Sequence, residues 1–151
     1  MIILLVTTLS IIVLDQITKS LVSRNLVMHQ PVNIIGSYLR FFLVHNQGLI
    51  WGLPFKSNLT YYVLPILGIV VVLYIALRSN RRYLGFVYGL ILAGAAGNLI
   101  DRIRFGYVVD FIDMGIKNLR WPTYNIADMS IVFGVILILG YEILRKKNPH
   151  A

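Results

Sequence analysis

The sequence contains no cysteine. That excludes a disulfide, a thiol nucleophile and a thiolate metal site, and redox chemistry says nothing of the compartment. Acidic side chains are scarce as well: six Asp and Glu stand against 14 Lys and Arg, for a formal net charge of +8 over 151 residues. No alanine occurs before Ala76, so the apolar N-terminal run lacks a small-x-small cleavage site, and no basic stretch precedes it. A cleavable signal peptide fits this start poorly, and a retained first span is expected.

What the chain has in quantity is hydrocarbon. Hydrophobic residues make up 58% of it and charged residues 13%, with a mean hydropathy of +0.76, too apolar for a soluble domain of this length. The chain reads as a single integral membrane domain, residues 1–151. Its basic residues cluster at 78–82 and 145–147, beside apolar runs, where they set orientation and touch anionic membrane lipid; no nucleic-acid partner is expected.

Four spans are predicted, at about 2–24, 59–77, 84–103 and 126–144, each long enough to cross a hydrocarbon core of roughly 30 Å. The third carries Gly85, Gly89, Ala93 and Gly97 at every fourth position, a stripe that lets helices approach closely, and Asp101 is next in that row. Asn98 and Arg102 fall on the adjacent row. With four spans, both basic clusters lie on one side, which the positive-inside rule makes cytoplasmic. Both termini are then cytoplasmic, and the connections 27–58 and 104–125 are extracytoplasmic. In the first connection Ser37 to Val44 has the aromatic and β-branched character of a short strand, ended by Asn46-Gln47-Gly48. The expected fold is an all-α membrane protein, four transmembrane helices with a small strand-containing extracytoplasmic flap from Asn33 to Phe55. Phe41, Phe42 and Trp51 in that flap suit the headgroup zone.

Four of the six acidic residues lie between Gly94 and Asp128, flanked by apolar spans, where ionisable groups are costly and function is the default reading. Asp15, roughly 20 Å along the first helix at 1.5 Å per residue, joins Asn98, Asp101, Asp110 and Asp128 near one membrane boundary. Asp15 and Lys19 are four apart with the acid first, the favourable orientation for a pair, either as a membrane-edge ion pair or as part of a site. Two carboxylates held close cannot both ionise cheaply, which supplies an acid and a base together and points to aspartic-type hydrolysis. Competing machinery is missing. His29 and His45 have no carboxylate at ligand spacing, Ser130 has no neighbouring base, and neither a metal nor any cofactor is expected. Asn125 and Asp128 also read as a capping box at the start of the last span.

Five motifs in order resemble the lipoprotein signal peptidases (signal peptidase II) across nearly the whole chain. They are Asp15-x-x-Thr18-Lys19; Asn46-x-Gly48 with Trp51-Gly52; Gly94-Ala95-x-Gly97-Asn98-Leu99-Ile100-Asp101-Arg102; Val108-Val109-Asp110-Phe111-Ile112-Asp113; and Tyr124-Asn125-Ile126-Ala127-Asp128. The resemblance implies an aspartyl endopeptidase of the bacterial inner membrane that cuts prolipoprotein signal peptides before a diacylglyceryl-modified cysteine. It implies Asp110 and Asp128 as the catalytic pair, with Asp15, Lys19, Asn46, Gly48, Trp51, Asn98, Asp101, Arg102 and Asn125 in supporting or substrate-binding roles. The chain departs from the family in carrying Leu49 and Ile50 after the Asn-x-Gly turn and Ala93-Gly94 where the family has a glycine pair. A different intramembrane aspartyl protease would show a Gly-x-Gly-Asp and a Tyr-Asp motif, and this chain has Gly106-Tyr107-Val108-Val109-Asp110 instead. The alternative from another class is a small proton- or cation-coupled transporter using the acidic cluster, but transporters bind near the midplane and often carry internal repeats, and no repeat is found.

Overall fold

The computed structural model describes residues 1–48, 59–79, 81 and 83–147. The helices are α1 (Ile2–Asn25), α2 (Leu64–Arg78), α3 (Leu84–Phe105) and α4 (Ile126–Lys147), with a π-helical turn at Leu59–Val63 leading into α2; four helical segments, the second running over Tyr61–Arg78, are long and apolar enough to cross a membrane. Polar side chains within α1 bond to their own backbone: Thr8 Oγ1 donates to Leu4 O at 2.8 Å and Thr18 Oγ1 to Leu14 O at 2.9 Å. This is how a hydroxyl is tolerated where water is excluded. Pro65, which has no N–H to donate, stands in the first turn of α2, directly after the π-helical turn.

The helix stripes decide which helix is central. α3 packs against α1, α2 and α4, while α2 buries none of its residues and presents Val70, Val71 and Leu77 outward. An exposed coat of this kind on α1, α2 and α4 is stable only against lipid. The small residues of α3 serve two neighbours. A methyl group on Gly89 would meet Thr7 at 2.8 Å and one on Gly97 would meet Asp15 Oδ2 at 2.7 Å, both on α1; one on Gly94 would collide with Ala127, Ser130 and Ile131 of α4. α3 ends at Gly106, whose φ of 75° is left-handed and whose N–H donates to Arg102 O at 3.0 Å.

The four expected helices and strand-containing flap are present, and the sheet is larger than the single strand expected in the first connection. The described residues contain a four-stranded antiparallel sheet, β1 (Val32–Ile35), β2 (Leu39–Asn46), β3 (Val108–Ile116) and β4 (Leu119–Arg120), in the order β1-β2-β3-β4. Each connection supplies half of it. The run Val108-Val109-Asp110-Phe111-Ile112 is β-branched and aromatic, and the sheet follows from pairing it with β2. A register shift between Phe41 and Val44 changes which β2 residues share a face with which β3 residues. It sets Arg40 opposite Asp113 yet brings Asn46, opposite Val108, diagonally beside Asp110. Phe41 and Phe42 are half-buried rather than exposed, Phe41 meeting Phe111 edge-on at 6.0 Å; exposed apolar side chains lie on β1 and its turn, at Val32, Ile34, Ile35 and Tyr38, and at the far end of the sheet, at Met114, Ile116, Leu119 and Trp121. Finally, Tyr124 O accepts the N–H groups of Phe111 and Ile112 at 3.0 and 2.8 Å, which ties the start of α4 to β3.

Candidate active site

A buried lysine organises the polar end of the bundle. Lys19 Nζ lies 2.9 Å from Asp15 Oδ2 and 2.9 Å from Asp101 Oδ2, and donates to Asn98 Oδ1 at 2.9 Å. All four side chains are nearly inaccessible. Ions taken out of water repay their desolvation only when fully paired, so such a cluster is weak evidence for stability and stronger evidence for positioning. Its outward hydrogen bonds show what it positions. Asp101 Oδ2 accepts the N–H of Val109, the second residue of β3, and Asp15 Oδ1 accepts the N–H of Ala127 in the first turn of α4. Asp110 and Asp128 are each one residue further along.

Asp110 is 2% exposed, and both its oxygens are occupied: Asn125 Nδ2 donates to Oδ1 at 2.7 Å and Asn46 Nδ2 to Oδ2 at 2.8 Å. Burial first, and the Asp128 charge second, push its pKa up from 3.8 to about 7. Asp128, half-buried, accepts Asn98 Nδ2 at 2.7 Å on one oxygen and the Asn125 backbone N–H at 3.2 Å on the other, while its own N–H donates to Asn125 Oδ1 at 2.9 Å. The Asn125–Asp128 exchange is the reciprocal cap read from the sequence. Asn125, fully buried, therefore caps the helix that carries one acid and binds the other acid directly. A further bond from Asn125 Nδ2 to Asn98 Oδ1 at 3.1 Å closes the network back to Lys19.

The remaining acid in the sheet is engaged elsewhere. Asp113 accepts Arg40 Nε at 2.7 Å and Arg120 Nε at 3.0 Å; although its burial raises the pKa, these two guanidiniums outweigh it and hold the carboxyl below its usual range. Such a group is a structural anion rather than a proton carrier. Arg102 is buried with its guanidinium 5.0 Å over the Tyr61 ring, and its Nε has no hydrogen-bond partner among the described residues. Gly48 donates its N–H to Asn46 Oδ1 at 2.8 Å, which orients the amide that binds Asp110. Trp51, Leu49 and Ile50 lie outside the described residues. His45 stacks on Tyr107 at 3.9 Å and His29 sits 6.0 Å from Phe42, while Ser130 Oγ donates to the backbone of Leu90 and Ala127. Among the described residues no three His, Asp or Glu side chains converge as they would on a metal ion.

Three participants were not singled out from the sequence. Gln16 Nε2 donates to Asp101 Oδ1 at 2.9 Å and to Asp15 Oδ2 at 3.2 Å, bridging the two carboxylates. Its signal was its place between Asp15 and Lys19, a polar residue inside an apolar helix. Tyr61, whose hydroxyl donates to Gly106 O at 2.8 Å, and Arg120 carried no local signal, since each acts through a partner remote in sequence.

The chain matches the family model described as signal peptidase (SPase) II over residues 7–144. It is 39% identical to a lipoprotein signal peptidase of Moorella thermoacetica over 89% of this chain and 88% of that protein, and 36% identical to one from Thermodesulfovibrio yellowstonii over 90% of each. Its fold is similar to a bacterial membrane enzyme solved by the in meso method at 2.3 Å resolution, with a TM-score of 0.87 and 28% identity, covering 96% of this chain and 90% of that one. With four apolar helices, a paired carboxylate network at one end of them and a family match across nearly the whole length, the chain belongs to the signal peptidase II family.

Proposed function

We propose that this protein is an aspartyl endopeptidase that removes signal peptides from diacylglyceryl-modified prolipoproteins, cutting before the lipidated cysteine. The observation that carries the reading is Asn125: one amide binds Asp110 through Nδ2 and the Asp128 N–H through Oδ1, so the acids are held as a pair by a single rigid side chain. Asp110, with a pKa of about 7, carries the shared proton at neutral pH. Asp128 as carboxylate takes a proton from water as its oxygen attacks the scissile carbonyl carbon. Asp110 protonates the carbonyl oxygen, and collapse of the tetrahedral intermediate with a proton passed to nitrogen yields a new carboxyl and a new amine. Asn98, Asn125 and Asn46 fix both acids; Lys19, Asp15 and Asp101 fix the elements that carry them; Arg102 binds the substrate backbone.

Orientation follows from charge. The clusters at 78–82 and 145–147 are at the opposite helix ends from the acids, so both termini are cytoplasmic and the acids are at the extracytoplasmic face of the bacterial inner membrane. Carboxylates at that boundary reach a peptide bond where a signal peptide's apolar segment ends. A lipid on the following residue anchors the bond at that depth, at about 0.8 kcal/mol per buried CH₂. The apolar surface of β1 and its turn, Val32, Ile34, Ile35 and Tyr38, rests on lipid beside the site. Incubation of the purified protein with a prolipoprotein in lipidated and unlipidated forms, followed by mass determination, tests the reading. The lipidated form is cut before its modified cysteine and the unlipidated form poorly even at saturation; equal cleavage of both contradicts the depth argument.

A further inference from the structure

The end of the bundle remote from the acids carries a cavity of about 400 Å³ between the last turns of α2 and α4 and the first turn of α3. Tyr141 stands thirteen positions after Asp128 on α4, about 20 Å along the helix, so the cavity belongs to the other membrane face. Three guanidiniums line it, Arg78, Arg81 and Arg145, against the single carboxylate of Glu142. Among the described residues Glu142 forms an ion pair with Arg145 alone, at 3.6 Å, so three guanidiniums against one carboxylate leave a surplus of two positive charges facing one concavity.

Simple snorkelling would send each arginine separately into water. Here aromatic side chains hold two of the three instead. Arg78 lies 5.4 Å over the Tyr74 ring and Arg81 5.6 Å over that of Tyr141, and Arg81 Nη1 donates to the Tyr83 hydroxyl at 3.2 Å and to that of Tyr141. The floor is apolar, formed by Leu84 and Tyr88 of the core cluster. The outward surfaces on either side, Leu77 on α2 and Ile143 and Leu144 on α4, are bare hydrocarbon.

We propose that this cavity binds the phosphate of an anionic phospholipid from the leaflet opposite the active site. Guanidinium forks and tyrosine hydroxyls supply the donors for a phosphodiester, and the position at the helix ends matches headgroup depth. The flanking apolar faces accept the acyl chains. Clustered arginines that a lone glutamate leaves in excess are satisfied by an anion, and a membrane-embedded chain meets its anions as lipid. The site is independent of the proposed peptidase chemistry.

Native mass spectrometry of the purified protein in detergent, with equimolar phosphatidylglycerol and phosphatidylcholine, tests this. Wild type retains one phosphatidylglycerol in preference to phosphatidylcholine. Arg78→Gln/Arg81→Gln lowers that retention about tenfold, Arg145→Gln lowers it as well, and Arg24→Gln at the far end of α1 leaves it unchanged. Prolipoprotein cleavage in the same samples confirms that the variants are folded. Equal retention of the two lipids by wild type overturns the proposal, as does undiminished retention in both the double variant and Arg145→Gln. Displacement of the lipid by millimolar glycerol phosphate overturns the lipid assignment in favour of a soluble phosphate.

Discussion

Asp15 accepts the backbone N–H of Ala127 at 3.0 Å, so a carboxylate on the first helix caps the helix that bears Asp128. The same side chain pairs with Lys19 at 2.9 Å. Asp15→Asn retains an acceptor for Ala127 and loses the ion pair, whereas Asp15→Ala loses both. Asp15→Ala is therefore expected to slow cleavage about tenfold or more beyond Asp15→Asn, since misplacement of a reacting group by about 1 Å costs on the order of a hundredfold. Equal turnover of the two variants would show that the cap does not position Asp128.

Asp110 makes stability depend on pH in a defined direction. Its folded pKa of about 7 exceeds the unfolded value of 3.8, so between them the folded protein binds more protons. Its contribution is fully present below about pH 4, declines as pH rises and is lost above about pH 7. Asp110→Asn abolishes that slope in thermal unfolding followed across this range in detergent. Persistence of the full slope in the variant assigns it to another group.

Cleavage by wild type should fall above about pH 7, as Asp110 gives up the proton it must donate. Because Asn46 and Asn125 donate to the Asp110 carboxylate and so lower its pKa, Asn46→Ala and Asn125→Ala move that alkaline limb upward. Asn98 donates to Asp128 and not to Asp110, so Asn98→Ala leaves the limb in place while slowing turnover roughly 10- to 1,000-fold. A pH profile of the three variants separates the cases.

Much of this site was legible before any coordinates. Helical periodicity brought Asp15 to Lys19 and aligned Gly97 with Asp101, because those relations are local and set by 3.6 residues per turn. The Asn125–Asp128 cap was legible for the same reason. The sheet was half missed: residues 104–125 were read only as an extracytoplasmic connection, and the strand character of β3 depends on pairing with a segment more than sixty positions away. Arg40 and Arg120 around Asp113 were unreadable for that reason, since long-range register across a bulge leaves no local mark.

At Gly94 α3 packs directly against the first turns of α4. A methyl group there collides with the Ala127 carbonyl and lies 2.6 Å from Ser130 Oγ and Ile131 Cγ1, one turn or less from Asp128. Gly94→Ala forces the helices apart at a cost of about 1–3 kcal/mol and moves Asp128 from its partners. Both the unfolding temperature and turnover should drop, whereas Gly68→Ala, on the open surface of α2, should change neither. An unaffected Gly94→Ala enzyme would contradict the close packing.

In the proposed mechanism Asp110 and Asp128 act as one acid and base couple. The most direct measurement is the mass of products formed from a lipid-modified prolipoprotein by Asp110→Asn, Asp128→Asn and the double variant, each first shown to be folded by thermal unfolding. Each single variant should leave the precursor uncut, and the double variant should be no worse than either, because a couple that shares one proton fails when either member is gone. Near-normal turnover in either folded single variant would contradict the assignment of that residue and, with it, the couple.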